Sequence, residues 1–384
     1  MKRQHYAIFI LLSALLFIIS ACGQSRNHKD SEYNQTAYSP KYAERFVIST
    51  CADDSGSVLI ESIDPWQGAD SVTKRLLVLD ENSQVPDGFD GPVLKGKARR
   101  IVAMSSSHVA MLDALGAADC IVGVSGLDFI SSPSIQKRRQ DIADIGFEGN
   151  IDYERLIALE PDLVTLYATN SRSAMEPKLR ELGIPYIYIC EYLENDPLGR
   201  AEWIKVIGHI SGKVSEADSI ISKTAENYIR LKNMIADKST DRPEVMLNTP
   251  YRDSWFMPSL NNYIVRIIED AGGRYVYRAN TSNSSVPIDI EDAYLLTDNA
   301  TFWLNTGQYK TISELTAAMP RFGDVGPVVN GQVYNNNART NSGGGNDFFE
   351  RGAIEPDVIL NDLINIFHPG LLPDSTLRYY RRLQ

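Results

Sequence analysis

The chain has 384 residues, with 49 acidic against 38 basic side chains and a formal net charge of −11. That length accommodates two domains of ordinary size. The acidic balance excludes nucleic acid and anionic membrane surfaces as primary partners, and five scattered histidines without HxH or HxxxH spacing argue against a histidine-rich metal site.

Lys2 and Arg3 precede an apolar run from Ala7 to Ile19, which ends in Ser20-Ala21-Cys22-Gly23. A basic start, a short apolar core and small residues before a cut site read as a secretory signal. The run is shorter than the roughly twenty residues that a bilayer crossing needs. A cysteine directly after Ser-Ala has the pattern of a bacterial lipobox. Residues 1–21 therefore read as a lipoprotein signal peptide and Cys22 as the lipidated first residue of the mature chain. Loss of Lys2 and Arg3 takes the charge from −11 to −13. The expected location is the cell envelope, facing the periplasm, with the lipid as membrane anchor. Cys51, Cys120 and Cys190 lack CxxC spacing. Cys120 and Cys190 read as buried strand thiols, with a disulfide between them as the lesser alternative.

Residues 22–43 are polar and read as a flexible tether. Residues 44–98 are β-rich: Arg45–Thr50, Ser57–Ile63 and Lys74–Leu79 are short apolar runs punctuated by Asp53-Asp54-Ser55-Gly56 and Asp64-Pro65. They predict a small antiparallel meander packed on the lobe that follows. From residue 99 strands and helices alternate, which predicts an α/β fold. Residues 99–197 read as an N-terminal α/β lobe and residues 241–384 as a C-terminal one. Between them, in residues 198–240, Val214, Ala217, Ile221, Ala225, Tyr228, Leu231 and Ile235 recur at spacings of three and four. That periodicity predicts one helix from about Glu216 to Asp237, long enough to bridge two lobes. Ser107 is the expected cap of a helix through Val109 and Leu115, and Asp152 that of a helix carrying Leu156.

Four stretches resemble a known family, one of them the short Leu179-Arg-Glu-Leu-Gly-Ile-Pro. Ala98-Arg-Arg-Ile-Val-Ala-Met-Ser-Ser-Ser-His-Val-Ala-Met-Leu-Asp-Ala-Leu-Gly opens like the first lobe of periplasmic binding proteins for iron–siderophore complexes and cobalamin. Ile145-Gly-Phe-Glu-Gly-Asn-Ile-Asp-Tyr-Glu-Arg-Leu-Ile-Ala-Leu-Glu-Pro-Asp-Leu-Val is the most specific stretch. The segment Phe348 to Pro369, with Glu-Pro-Asp-Val-Ile-Leu at its core, is similar as well. The resemblance covers about residues 98–369 and implies two Rossmann-like lobes joined by one long helix, here with an N-terminal β-rich extension. It also implies a small-molecule metal chelate held between the lobes and passed to an ABC importer, a permease dimer with its ATPase. No cofactor of the protein's own is implied; the iron chelate is cargo.

The same resemblance implies two docking carboxylates, one per lobe, that meet arginines of the permease. Glu154 in Asp152-Tyr-Glu-Arg-Leu and Glu291 in Ile288-Asp-Ile-Glu-Asp-Ala match them, each two residues after a capping aspartate. A first-turn acid also suits the helix dipole of its own helix. Ligands of open α/β sheets sit beyond the carboxyl ends of the strands. There the first lobe offers Ser106, His108, Phe147, Glu148, Tyr167 and Arg172. The second offers Tyr251, Arg252 and Trp255 in one turn-prone stretch, and Arg339 beside the polar run Asn341-Ser-Gly-Gly-Gly-Asn. Aromatics grip flat or greasy ligand faces, and arginine pairs with an anionic chelate. His108 reads first as a cap or core partner and second as a ligand to cobalt or iron. Gly343 to Gly345 allow either a close backbone approach or simple mobility.

A ferric siderophore ranks first among cargoes, cobalamin second and haem third. An enzyme such as a hydrolase is the rival from another class, but GxSxG, HExxH and a Walker loop are all missing from the sequence. A surface lipoprotein that scavenges cargo for an outer-membrane transporter is a further rival. A zinc or manganese binder would need more histidines than the chain supplies.

Overall fold

The computed structural model describes residues 33–51, 54–238 and 241–384. The leader, Cys22 and the first part of the tether lie outside the described residues. The fold is α/β, with two Rossmann-like lobes, one long connecting helix and a β-rich sheet in front.

That first sheet has five strands in chain order: Gln35–Tyr38, Phe46–Cys51, Asp54–Ile63, Thr73–Leu79 and Val93–Lys95. Four form an antiparallel meander and the fifth runs parallel to the fourth. Alternation sends Phe46, Ile48, Ile60 and Leu76 into the core of the first lobe. On the other face Leu59, Leu77 and Leu79 cluster with Tyr33, Phe89 and Val93. The opening strand lies inside the segment read as tether, where polar Gln35-Thr36-Ala37 gave no strand signal. After it, two buried carboxylates hold the chain down. Glu202 accepts hydrogen bonds from the Tyr38 hydroxyl at 2.6 Å and from the backbone amides of Lys41, Tyr42 and Ala43 at 2.8, 2.8 and 2.7 Å. Glu194 accepts from the amides of Glu44 and Arg45, both at 3.0 Å.

The first lobe is a parallel sheet ordered Tyr186–Tyr188, Leu163–Leu166, Ile101–Ala103, Ile121–Val124, Ala143–Asp144. The second is ordered Arg274–Tyr275, Glu244–Leu247, Phe302–Leu304, Val333–Asn335, Arg381–Arg382, parallel except for its last strand. Chain progression reverses between Ile101–Ala103 and Leu163–Leu166 in one lobe, and between Glu244–Leu247 and Phe302–Leu304 in the other. Each reversal leaves a crevice at the carboxyl end of the sheet.

The connecting helix runs from Val214 to Lys238, about 37 Å at 1.5 Å per residue. Its buried stripe is divided. Ala217 and Ile221 sit in the core of the first lobe; Ala225, Tyr228, Leu231 and Ile235 sit in that of the second. Bending it would disturb both cores, so the angle between the lobes is stiff.

Local expectations need three corrections. The helix expected to be capped by Ser107 spans Ser106–Ala114, with Ser105 at the cap position and Ser107 inside it, buried. Part of the turn-prone stretch after Thr249 is a strand, Trp255–Met257, paired antiparallel with Val286–Ile288. Cys120 ends a single helical turn and is partly exposed rather than buried in a strand; Cys51, Cys120 and Cys190 are all free thiols.

Candidate functional site

At the carboxyl end of Ile101–Ala103, Ser105 and Ser106 are half-buried. His108 is fully buried, with Nδ1 2.9 Å from Thr165 Oγ1 and Nε2 3.7 Å from the Glu191 carboxylate. Helical spacing turns it to the core face, so it does not line the cleft and the ligand-binding expectation for it is corrected. Glu191 is buried as well and accepts from the Ser107 hydroxyl at 2.5 Å. Burial pushes its carboxyl up, but His108 and the Ser107 hydroxyl outweigh burial and hold it below the usual range.

Beside that strand end Tyr167 follows Leu163–Leu166, its hydroxyl pushed up by burial and by the charge of Glu148. Glu148 Oε1 accepts from the Ala174 amide at 2.7 Å, which ties the loop of Phe147 to the loop of the exposed Arg172. Phe147 stands edge-to-face with Phe129 at 6.0 Å, and both rings are exposed. Phe129 escaped the sequence reading. The available signal was Asp144, whose carboxylate accepts from the amides of Gly126, Leu127 and Gly146 and so fixes both aromatic turns.

In the second lobe both strands at the reversal end in a left-handed asparagine, Asn248 (φ 69°) and Asn305 (φ 59°). Asparagine tolerates that conformation, and it swings the chain off the sheet. The chain then turns back on itself through paired Tyr251 and Ser254. Arg252 is left-handed too (φ 57°), and its guanidinium lies 5.3 Å from the Tyr251 ring. Both side chains are exposed. Trp255 is not. It is fully buried, its indole donates to the Leu247 carbonyl at 2.8 Å, and its ring packs at a tilt against Trp303 and Phe322. Strand alternation points it into the core, so its expected place in the cleft is corrected.

Arg339 pairs with Asp347 at 2.7 Å and lies over the Tyr379 ring. It lines a cavity of about 340 Å³ between the lobes, with Asp113 and Ser132 on one side and Glu350 and Arg351 on the other. Gly343 and Gly345 make a close approach. A Cβ on either would stand 2.2 Å from the Asp128 carbonyl oxygen or 2.0 Å from that of Phe129. Among the described residues no group of three or more His, Cys, Asp and Glu side chains could hold a metal ion, and no helix is long and apolar enough to cross a membrane.

Glu154 and Glu291 both occupy first helical turns. Asp152 caps one helix by accepting from the Arg155 amide, and Asp289 caps the other by accepting from the Asp292 amide, each at 2.9 Å. Both glutamates are exposed. Glu154 has no side-chain partner among the described residues. Glu291 pairs with Arg321 at 2.8 Å, and that hydrogen bond holds its carboxyl below the usual range.

Comparison with known proteins places these features. The family model described as periplasmic binding protein matches residues 101–340. An uncharacterized lipoprotein of Methanocaldococcus jannaschii is 25% identical over 342 residues, covering 83% of this chain and 79% of that protein. An uncharacterized ABC transporter substrate-binding lipoprotein of Bacillus subtilis is 25% identical over 130 residues, 33% of this chain and 39% of that protein. Among solved structures, a periplasmic heme binding protein from Pseudomonas aeruginosa superposes with a TM-score of 0.59 at 17% identity, covering 75% of this chain and 98% of that one.

Proposed function

Because the chain belongs to the periplasmic binding protein family, we propose that it is the cargo receptor of an ABC importer, tethered in the cell envelope through lipidated Cys22. The cargo is a metal chelate of the ferric-siderophore type, held between the two lobes and handed to a permease dimer driven by its ATPase. The observation that carries this reading is a crevice in each lobe, on a stiff frame. Each lobe has a strand-order reversal, and one helix buried in both cores fixes the angle between them. Inter-domain clefts at such reversals are favoured ligand sites.

Within the cleft, Arg172 and Arg252 meet the anionic groups of the chelate, while Phe147, Phe129 and Tyr251 meet its apolar face. Ser106, Glu148, Tyr167 and Arg339 supply polar contacts around it. Glu154 and Glu291 dock the two lobes against cations of the permease and set register. The relatives named as lipoproteins support the envelope location. Haem is the second reading, favoured by the shared fold of the Pseudomonas heme binding protein, and cobalamin is the third.

Native mass spectrometry of the mature chain with a ferric siderophore panel, cyanocobalamin and hemin tests the proposal. One unconsumed cargo molecule per chain is the expected result. Turnover of the cargo, or no binding across the panel, overturns it.

A further inference from the structure

The two lobes are also joined on one rim of the cleft, far from the connecting helix in sequence. There a segment of the second lobe, residues 339–351, grips a turn of the first, residues 126–134. The Asn341 side-chain amide donates to the carbonyls of Asp128 and Ile130 at 3.0 and 2.9 Å. Gly343 and Gly345 lie against the Asp128 and Phe129 carbonyls so closely that no side chain would fit. Arg351 reaches Asp113 at 3.7 Å, and Asp113 holds the hydroxyls of Ser132 and Ser134. At the centre is Glu350, 1% exposed. Its two oxygens accept from the backbone amides of Ser131 and Ser132, at 2.6 and 2.9 Å.

We propose that residues 339–351 are a latch between the lobes, and that Glu350 is a pin in it whose protonation sets how firmly the cleft is held shut. The inference rests on the two-lobe architecture and not on which cargo the cleft takes.

The stiff helix allows only a small parting of the lobes, and a parting confined to this rim is enough to take Glu350 from its buried seam into water. A buried carboxyl resists ionisation, whereas in water it returns to its ordinary value near 4.5. In the closed state burial pushes Glu350 up to about 7, against the pull of the two serine amides. The charged groups around the same cavity are Asp113 from the helix Ser106–Ala114, and Arg339, Asp347 and Arg351 from the latch itself. Glu355 stands behind Arg351 and pairs with it; Asp128 on the gripped turn is engaged by Arg139. Asp347 opposes ionisation of Glu350 further.

The sign follows from linkage. The closed state binds the proton more tightly than the open one, so acid favours closure. Closure is strongest below about 4.5, weakens as pH rises toward about 7, and is flat beyond that. Within the window the closed-to-open ratio changes by at most about tenfold per pH unit.

Site-resolved hydrogen exchange of the mature chain reads the latch directly, because the Ser131 and Ser132 amides are held by Glu350. After correction for intrinsic rates, their protection should fall several-fold between pH 5 and pH 7 and then level. Glu350→Gln, neutral at every pH, should abolish that pH dependence and hold the two amides at the protection that the parent chain reaches near pH 5. Gly343→Ala, which forces the Asp128 carbonyl away without touching Glu350, should deprotect the same two amides at every pH. Protection that is independent of pH in the wild-type chain, or unchanged in Gly343→Ala, overturns the latch. Both measurements remain informative if Glu350→Gln fails to fold, and neither requires bound cargo.

Discussion

Glu291 accepts a hydrogen bond from Arg321 at 2.8 Å, so one of the two carboxylates proposed to meet the importer is already engaged within its own lobe. Glu154, the matching residue of the other lobe, has no such partner among the described residues. The two docking points are therefore electrostatically unequal. Glu154→Arg together with Glu291→Arg should abolish cargo uptake by cells while cargo affinity stays within twofold. Arg321→Ala should leave uptake intact or raise it, because the partner's cation no longer competes with an internal one. A strong loss of uptake in Arg321→Ala, with affinity unchanged, would assign docking to the arginine instead.

The Glu202 carboxylate gathers four donors around a fully buried site. Glu202→Ala strands three backbone amides and a tyrosine hydroxyl. An unsatisfied buried donor costs about 1–3 kcal/mol, so a loss of about 3 kcal/mol or more is expected in denaturant unfolding. A loss below about 1 kcal/mol would mean that water replaces the carboxylate at low cost.

His209 gives the fold an acid-sensitive element. Burial, with Lys205 nearby, lowers its imidazole from 6.5 to about 4. Between those values the unfolded chain binds a proton that the folded chain refuses. Stability contributed by His209 is therefore complete above pH 6.5 and is lost as pH falls toward 4, by about 3 kcal/mol at most. The buried Glu350 works in the opposite sense over an overlapping window. Urea titrations of His209→Gln from pH 7 to pH 4 should show a flatter acid limb than the parent chain. An identical limb would place the acid sensitivity elsewhere.

Trp255 separates a core role from a ligand role. Its ring is buried against Trp303 and Phe322, and its indole donates to Leu247. Trp255→Ala should cost about 3–5 kcal/mol of stability. Tyr251→Ala and Arg252→Ala should leave the unfolding midpoint in place and weaken cargo binding about tenfold or more. The reverse pattern would return Trp255 to the cleft.

The sequence carried the frame better than the faces. Seven apolar residues at helical spacing located the connecting helix, because a stripe that serves two cores still has the period of one helix. Asp152 and Asp289 announced their helices, since a cap is a local device. His108 and Trp255 misled for the opposite reason. Whether a residue near a strand end faces cargo or core depends on helices and strands distant in the chain. Glu350 was illegible on the same ground: the amides it holds lie more than two hundred residues earlier. The triple glycine was read with two outcomes open, and close approach of backbones across the lobe seam is the one observed.

The central claim is that cargo sits between the two lobes, and anomalous diffraction at the iron edge from crystals of the mature chain with a bound ferric chelate tests it most directly. The account predicts one iron peak per chain between the two strand-order reversals, with Arg172 and Arg252 of opposite lobes closing on the chelate. An iron peak against the N-terminal sheet, or on the outer face of either lobe, would contradict it.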